Sequence, residues 1–424
     1  MTNPVRTGYV LLAGLTLLNV LNFADRFLLV SFANSIITDL QLTKFQFTLL
    51  TGIVFSVFYV VFGIFAGSLA DRLHRPRLIA GGLALWSALT GATGLAVNFL
   101  QVGLARVFIG VGEAVLTPAA LSMLADRLPR HRHGLAAAIY YLGIPIGVGS
   151  SFIFASVMGP IFGWRGTFLV LGGVGVAAAL LVLLLRDPPR GGMQISAEAQ
   201  TIGSFRESVA GLWLAMRTTP VLALTLFGSA SAIFVQGASV LDIVWWVNER
   251  GYAEGTAQRL TGQLFLFGGI LGAVVGGIGA DAMYKRGRGG RLKFLAIAYI
   301  IVAPIGLTFR LTAPDTPLFY TAAFISAASF MLPYGTTYAT VQECVPVNLR
   351  GASIALLNLF STLIGHAFGA ALAGFLADRF TASGMEDPVT WAVVLTGIPS
   401  LAAIPLFWYA SKLHARTPPL PHAA

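Results

Sequence analysis

Long runs of apolar residues recur along the whole chain and are separated by short polar loops. A helix of about 20 residues rises about 30 Å, which is the hydrocarbon thickness of a typical bilayer. The runs therefore predict membrane-spanning helices, and twelve of them can be counted. In chain order the predicted spans are 8–33, 45–70, 78–98, 101–126, 134–158, 166–185, 220–247, 257–283, 292–312, 317–343, 351–376 and 389–411.

The longest polar segment of the chain, 186–219, separates two sets of six predicted spans. We therefore predict an N-terminal six-helix bundle (1–185), a cytoplasmic linker (186–219) and a C-terminal six-helix bundle (220–424). Apolar residues in the linker return at helical spacing, which predicts an amphipathic helix. Such a helix either lies on the inner membrane surface or packs under the bundle as a strut. Its apolar positions are Phe205, Val209, Leu212, Trp213 and Met216.

The two halves of the chain carry a sequence repeat. An acidic residue, a proline and a glycine recur at an offset of 217 residues, first near Asp126 and again near Glu343. At the same offset, Asp25 in the first span matches Asp242 in the seventh. The offset is close to half of the 424 residues, so a six-helix unit is used twice. Two parallel six-helix halves describe one known transporter architecture.

The composition agrees with an all-α membrane protein. Hydrophobic residues make up 56% of the chain and charged residues 10%, whereas a soluble domain is about 45–50% apolar and about 25% charged. The formal net charge is +10, and it resides in the short loops. Membrane headgroups, rather than nucleic acid, are therefore the expected partners of these basic residues.

Lys and Arg are concentrated in the loops on one side of the predicted spans, the side that also holds both termini. Cytoplasmic loops of membrane proteins carry such an excess of basic residues. We therefore expect a multi-pass protein of the cytoplasmic (inner) membrane with both termini in the cytoplasm. We also expect it to act as a monomer.

Charged residues inside two predicted spans are the first candidates for function. Asp25 and Arg26 lie in the first span, and Arg106 and Glu113 lie in the fourth. A charge at the bilayer centre costs roughly 3 kcal/mol on insertion scales, so these side chains must be paired, hydrated or functional. Counting residues from the ends of the spans places Asp25 and Arg106 at similar depth.

Two interpretations of these charges compete. A static salt-bridge cluster would lock the first helix to the fourth. Alternatively, the cluster is a titratable site in which Asp25, or else Glu113, takes up a proton, releases Arg106 and permits rocking between access states. Buried ion pairs are a poor source of stability. We therefore favour the titratable site, with Asp25 as the first candidate for the proton carrier and the proton as coupling ion.

The same region is a candidate substrate site. Arg106 and Glu113 are seven residues apart and share a helix face with Thr117. Asn22 lies one turn from Asp25 and Arg26. We expect Arg106 to anchor an anionic headgroup beside Asn22 and Thr117. Arg26 either adds a second positive charge or pins the first helix to a neighbour.

The second half offers weaker candidates. Phe330, Tyr334 and Tyr338 recur at every fourth residue of the tenth span, which fits either packing or a wall for an acyl chain. Asp242 lies towards the outer end of the seventh span and predicts a boundary or gate. His366 is a lone histidine within a span, a position that favours packing over proton transfer.

A loop motif carries a family resemblance. Gly67, Asp71, Arg72 and Arg75 lie in the loop between the second and third spans, and a degraded copy around Asp281 occupies the equivalent loop of the second half. This run resembles the signature loop of the major facilitator superfamily, although a histidine precedes Arg75 where the family usually has glycine. The resemblance implies that these residues govern the conformational change and that the fold is two six-helix bundles.

The resemblance narrows in the first and fourth spans. Asn22, Asp25 and Arg26, Glu113 in its helix motif and the run 186–190 resemble spinster-type lipid transporters and neighbouring organic-anion branches. The resemblance implies a proton-linked carrier of amphipathic anions such as lysolipids or sphingoid phosphates.

Other functions are less well supported by the sequence. A carrier of small organic anions would use Arg26 and Arg106 together, and a receptor or sensor would bind its ligand without moving it. No lysine precedes Ser or Thr and no histidine precedes Glu, so the sequence lacks a P-loop and an HExxH zinc motif. We therefore expect no enzyme activity, no bound metal and no cofactor.

Overall fold

The computed structural model describes residues 4–190, 205–346 and 349–417, and these residues form helices joined by short connections. The first half contains α1 (Pro4–Ser31), α2 (Ala33–Asp39), α3 (Lys44–Thr51), α4 (Ile53–Arg72), α5 (Arg75–Thr93), α6 (Phe99–Glu113), α7 (Leu116–Arg127), α8 (His133–Tyr141) and α9 (Gly143–Val182). The second half contains α10 (Phe205–Thr218), α11 (Pro220–Ala238), α12 (Asp242–Asn248), α13 (Glu254–Gln263), α14 (Gly269–Tyr284), α15 (Gly290–Thr308), α16 (Pro317–Ala328), α17 (Tyr334–Glu343), α18 (Arg350–Asn358), α19 (Phe368–Ala382), α20 (Pro388–Gly397) and α21 (Ala403–Arg416).

These helices account for the twelve predicted spans. Among the described residues, nine continuous helical stretches are long and apolar enough to cross a membrane. One of them, His133–Val182, contains two predicted spans, because its backbone turns at Gly163 with a φ of 64° that favours glycine. The two remaining predicted spans are α5 and the pair α16 and α17.

Several spans are interrupted near their middle. The fourth is divided between α6 and α7 next to Glu113. Two π-helical segments, Leu264–Gly268 and Leu359–Ala367, interrupt the eighth and eleventh. Such segments are rare and often occur at functional sites, so these interruptions mark regions worth attention.

The described residues divide into two compact units, which we name unit 1 and unit 2. Unit 1 comprises the described parts of Met1–Leu42, Val54–Ala199 and Tyr252–Leu266; unit 2 comprises those of Thr43–Ile53, Gln200–Gly251 and Phe267–Ala424. Each unit therefore includes one short segment from the opposite half of the sequence: α3 belongs to unit 2 and α13 to unit 1. The bundle boundaries at 185 and 220 stay a prediction.

Unit 1 has a tightly packed core around α5. Leu83 and Trp86 on α5 are fully buried together with Leu15, Leu116 and Tyr140. Burial of such apolar side chains contributes the main favourable free energy of packing. This core holds the candidate functional residues of the first half.

Glycines let the helices of unit 1 approach α5 closely. A Cβ atom on Gly112 of α6 would lie 2.9 Å from the carbonyl oxygen of Gly82, and one on Gly172 of α9 would lie 2.6 Å from the nitrogen of Gly91. A larger residue at either position would force the backbones apart. The result is an α5 held between α6 and α9 at backbone distance.

Unit 2 has its own core, and the linker helix α10 packs on it. Leu212 and Ala215 of α10 are buried, whereas Trp213 is 54% exposed. Gly211 faces Leu349, whose Cδ1 would lie 3.0 Å from an added Cβ. One face of α10 thus packs on unit 2 while Trp213 faces outward. Residues 191–204 of the linker and the side chains of Phe205 and Val209 lie outside the described part of the chain.

Candidate functional site

Four ionisable side chains meet in the core of unit 1. Asp25 and Arg26 project from α1, and Arg106 and Glu113 project from α6. The relative exposure of Asp25, Arg106 and Glu113 is 2%, 3% and 2%. Charged groups this deeply buried need opposite charges or hydrogen bonds to offset their desolvation. The arrangement of their partners therefore decides what the cluster can do.

Glu113 is bound by Arg26. Nε and Nη2 of Arg26 both donate to Oε2 of Glu113, at 2.9 and 2.6 Å. Glu113 is the last residue of α6, and the helix resumes only at Leu116, so its carboxylate lies at a break in the fourth span. Charge-assisted bonds of this kind are about twice as strong as neutral ones. This pair ties α1 to α6 and accounts for Arg26 as a link to a neighbouring helix.

Aromatic rings surround the two guanidinium groups. The central carbon of Arg26 lies 4.7 Å from the ring centroids of Phe23 and Phe55 and 4.5 Å from that of Tyr59. Arg106 lies 4.6 Å from the centroid of Phe55. Cation–π contacts of desolvated groups stabilise by about 2 kcal/mol. Phe55 thus contacts both positive charges, which concentrates anion-attracting groups around one ring.

Sequence reasoning did not identify these rings. Phe55 and Tyr59 lie within an apolar run of the second span, where an aromatic residue is the ordinary choice for contact with lipid or core. Only their position opposite Arg26 distinguishes them. A search for aromatic residues four apart would have found this pair, but also many others.

Asp25 takes its hydrogen bond from a neutral donor. The indole Nε1 of Trp86 on α5 donates to Oδ2 of Asp25 at 2.8 Å. Oδ1 of Asp25 has no hydrogen-bond partner among the described residues. Arg106 and Glu113 are both near enough to interact electrostatically with Asp25. Asp25 and Arg106, the expected partners, therefore interact electrostatically, whereas the hydrogen bond of Asp25 is with Trp86.

Polar side chains continue the cluster along α1 and α7. Asn22 is 4% exposed and lies next to Glu113. The hydroxyls of Thr117 and Tyr140 are 3.1 Å apart, and Nδ2 of Asn19 donates to the carbonyl oxygen of Tyr140 at 2.9 Å. The structure thus brings together the predicted Asn22, Thr117 and charged residues within unit 1. Asn19 and Tyr140 join them without having been predicted.

The predicted aromatic stripe lies in unit 2. Ring centroids of Phe330 and Tyr334 are 6.2 Å apart, as are those of Tyr334 and Tyr338. The hydroxyl of Tyr338 donates to the side-chain oxygen of Asn358. The three residues form a continuous column at the break between α16 and α17. His366 lies partly buried in the π-helical segment Leu359–Ala367.

Asp242, which matches Asp25 in the sequence repeat, is also bound by a residue from the third span of its half. Asp242, the first residue of α12, accepts a hydrogen bond from Nη2 of Arg310, which directly follows α15. The guanidinium of Arg310 stacks 4.6 Å from the ring centroid of Trp245. In both units an aspartate at the repeat position thus binds the third helix of that half. The boundary or gate role expected for Asp242 stays a prediction.

In the predicted conformational loop, the side chain of Arg75 is buried and forms several hydrogen bonds. It is 1% exposed, and its side chain bonds Asp187 (2.7 Å), Ser122 (3.0 Å), Asp126 (2.5 Å) and the carbonyl oxygen of Pro188 (2.6 Å). These bonds join the loop to α7 and to the chain that leaves α9.

The other predicted loop residues are less closely packed than Arg75. Asp71 and Arg72 are exposed, and a Cβ on Gly67 would have no described heavy atom within 4 Å, so this structure shows no close helix approach at that glycine. In the second copy, Nη2 of Arg291 bonds Asp281 at 3.2 Å and Nη1 bonds Glu343 at 2.5 Å. Arg291 with Glu343 therefore repeats Arg75 with Asp126.

Comparison with known proteins places the chain in a family. The family model described as Major Facilitator Superfamily matches residues 15–366. An MFS-type efflux pump of Mycolicibacterium smegmatis is 26% identical over 97% of this chain and 94% of its own length. Protein spinster homolog 1 of Mus musculus is 31% identical over 53% of this chain, and the match spans 43% of the mouse protein.

The fold also matches solved structures. A bacterial homolog of the human lysosomal transporter Spinster, in an inward-facing and unoccupied conformation, superposes with a TM-score of 0.85. The match covers 98% of this chain and 99% of that one, with 22% sequence identity, so it concerns the fold. The family model, the repeated six-helix pattern and the loop motif agree, and the chain belongs to the Major Facilitator Superfamily, in which it resembles the spinster-type transporters.

Proposed function

We propose that this transporter moves an amphipathic anion, such as a lysolipid or a sphingoid phosphate, by alternating access coupled to protons. One observation carries the proposal. In a membrane-spanning unit, the buried carboxylate of Glu113 bonds the partly buried Arg26, and one aromatic ring, Phe55, contacts both Arg26 and the buried Arg106. Ionisable groups in such positions mark substrate and proton pathways in transporters.

The geometry supports competition between a proton and an anion. While Glu113 is ionised, its carboxylate occupies Arg26. Protonation of Glu113 removes that negative charge and leaves the guanidinium available to an anionic headgroup, and loss of the proton reverses the exchange. Asp25 is the second carboxylate that can carry a proton, and Arg106 is the second cation that can attract the headgroup.

The apolar part of the substrate is supported by the aromatic residues and by the relatives. Phe330, Tyr334 and Tyr338 form a column of aromatic rings in unit 2 that suits contact with an acyl chain. A mammalian spinster homolog is among the matched proteins. We propose the proton as the coupling ion without any further cofactor. We also propose a monomer in the inner membrane, with both termini in the cytoplasm.

Flux measurements in proteoliposomes test the proposal. With an imposed pH gradient, wild-type protein is expected to move lysophosphatidylglycerol, and a trapped pH-sensitive dye is expected to report proton movement. Asp25→Asn and Glu113→Gln should each lose the response to the gradient, because neither side chain can carry a proton. Asp39→Asn, which alters a carboxylate bound to Arg165 on the protein surface, serves as the matched control. Gradient-driven flux in both site variants equal to that of the wild type contradicts the proton role.

A carrier of small organic anions is the second candidate. It is favoured by the two guanidinium groups that share Phe55, since two positive charges suit a compact carboxylate. The same flux assay decides between the lipid carrier and the small-anion carrier. If the protein moves small carboxylates but not lysophosphatidylglycerol, the lipid substrate is excluded. A receptor that binds without transport would show stabilisation by ligand but no flux.

A further inference from the structure

We infer that Trp86 is a positioning residue for the proton step: its indole N–H holds the Asp25 carboxylate and sets the pH at which Asp25 takes up its proton. The inference rests on the proposed function, in which Asp25 carries a proton. Nothing in the sequence distinguishes Trp86 from a packing residue, since it lies in an apolar stretch of the third span. The contact with Asp25 at 2.8 Å provides the distinction.

Trp86 is immobilised by its surroundings. Its relative exposure is 0%, and its own Cβ and backbone nitrogen would each lie 3.2 Å from a Cβ placed on Gly112. On another face of α5, a Cβ on Gly175 would lie 2.0 Å from the Oγ of Ser87. The close approach of α6 and α9 leaves α5 no room to shift towards either. The indole is therefore a fixed donor.

The backbone of α1 next to Asp25 is held by α9. The Oγ of Ser151 on α9 donates to the carbonyl oxygen of Ala24 at 2.7 Å, which fixes the backbone next to Asp25. Movement of the carboxylate is thus limited to rotation of its own side chain. Rotation away from Trp86 would break the bond to a donor that cannot follow.

The chemistry of the indole suits a proton carrier. An indole N–H donates and never accepts, and it carries no charge in any accessible protonation state. It binds an ionised carboxylate more strongly than a neutral carboxylic acid. A guanidinium in the same place would hold the carboxylate ionised over a far wider pH range. Trp86 therefore favours the charged form moderately and lets Asp25 gain and lose a proton.

Other groups act on Asp25 from each packed helix. From α6, the negative charge of Glu113 opposes its ionisation and the positive charge of Arg106 favours it. From α5, the uncharged hydroxyl of Ser87 also lies near Asp25. On α1 itself, Arg26 is engaged by Glu113. The hydrogen bond from Trp86 therefore acts on Asp25 beside two charges of opposite sign on α6.

Trp86→Phe tests this role because it keeps an aromatic ring and removes the donor. Infrared difference spectra of wild-type protein in liposomes, recorded across pH, should show the carboxylic acid C=O band of Asp25, identified by its loss in Asp25→Asn. In Trp86→Phe the midpoint of this band should move up by about one pH unit, a tenfold change in proton affinity. The midpoint of pH-driven lysophosphatidylglycerol flux should move in parallel.

Trp245→Phe is the matched control. Trp245 is also 0% exposed and also donates through Nε1, at 2.7 Å, but to the hydroxyl of Thr390 in unit 2. Its replacement should lower thermal stability as Trp86→Phe does, while leaving the Asp25 band unmoved. Equal midpoints in the wild type and Trp86→Phe overturn the inference.

A second measurement, made on the wild-type protein, tests the inference if Trp86→Phe does not fold. In wild-type protein with ¹⁵N-labelled indoles, the N–H stretch of a tryptophan should shift with the midpoint of the Asp25 band, and this shift should vanish in Asp25→Asn. Its absence contradicts the inference. A band that shifts in Trp86→Phe without pH-driven flux in the wild type supports the bond and refutes the proposed coupling, so the two failures are distinguishable.

Discussion

The two units use the same repeat position in different ways. In unit 1, Asp25 is bound by the neutral indole of Trp86; in unit 2, Asp242 is bound by the guanidinium of Arg310. Both partners belong to the third helix region of their half, so the geometry of the repeat is kept while the charge of the partner differs. A carboxylate held by a neutral donor changes its protonation state at lower cost than one held by a buried cation.

The surroundings reinforce this contrast. Arg310 is 4% exposed and stacks on Trp245, as does the neighbouring Arg250 at 4.9 Å. Glu249 accepts hydrogen bonds from the backbone and hydroxyl of Thr390. Unit 2 thus encloses its aspartate in a network of paired charges and hydrogen bonds. Unit 1 leaves Oδ1 of Asp25 without a described partner, which suits a site that changes state.

The largest expected effect on stability separates the two aspartates. Asp242→Asn leaves the positive charge of Arg310 buried without its counterion, and the free energy of unfolding should fall by about 3 kcal/mol. Asp25→Asn retains an acceptor for Trp86 and should cost less than about 1 kcal/mol. Thermal unfolding of both variants in the same detergent measures the difference. Equal losses of stability would remove the contrast between the units.

The loop arginines provide the next comparison. Arg75 makes four side-chain partnerships at 1% exposure, whereas the side chain of Arg291 is 19% exposed and bonds two carboxylates. Arg75→Ala should therefore lower the free energy of unfolding by about 3 kcal/mol, and Arg291→Ala by about 1 kcal/mol. The same thermal unfolding assay measures both. A larger loss of unfolding free energy for Arg291→Ala than for Arg75→Ala would show that the second loop contributes more to stability.

The smallest expected effect on stability concerns α3 and α13, the segments that each unit includes from the opposite half of the sequence. In unit 2, the carboxylate of Asp378 accepts from the backbone nitrogens of Lys44 (3.0 Å) and Phe45 (2.9 Å), which supplements the Thr43 cap at the start of α3. In unit 1, Glu254 accepts from the nitrogen and hydroxyl of Ser35, at 3.2 and 2.5 Å. Asp378→Ala should cost about 1 kcal/mol, the usual value of a helix cap.

Proteolysis or hydrogen exchange localised to α3 checks the capping effect. Exchange of the α3 amides should quicken in Asp378→Ala while the α13 amides remain as in the wild type. Glu254→Ala should do the reverse. Quickened exchange in both segments in either variant would contradict the local effect expected of each contact.

The number of spans and the membrane environment follow from composition and length. Runs of about 20 apolar residues can satisfy their backbone only as helices within lipid, so the twelve spans could be counted without a structure. The family model and the matched structures confirm this fold. The repeat was equally visible, because Asp126 and Glu343 must each meet an arginine at the same place in their half.

The charged residues of the site were also visible in the sequence. Asp25, Arg26, Arg106 and Glu113 stand out because charge is rare within a span. Their pairing was not determined by the same reasoning. Depth along a helix can be counted from residue numbers, but rotation about the helix axis and tilt depend on neighbouring helices.

The tertiary structure alone decided which groups bond. α6 packs closely against α5 at Gly112, the indole of Trp86 bonds Asp25, and Glu113 at the end of α6 bonds Arg26. Trp86 and Phe55 have apolar neighbours in the sequence and resemble packing residues there. Their roles arise from contacts between helices far apart in the chain. The sequence by itself determined that charge would be buried in this membrane protein, and packing at ångström distances decided what each charge would touch.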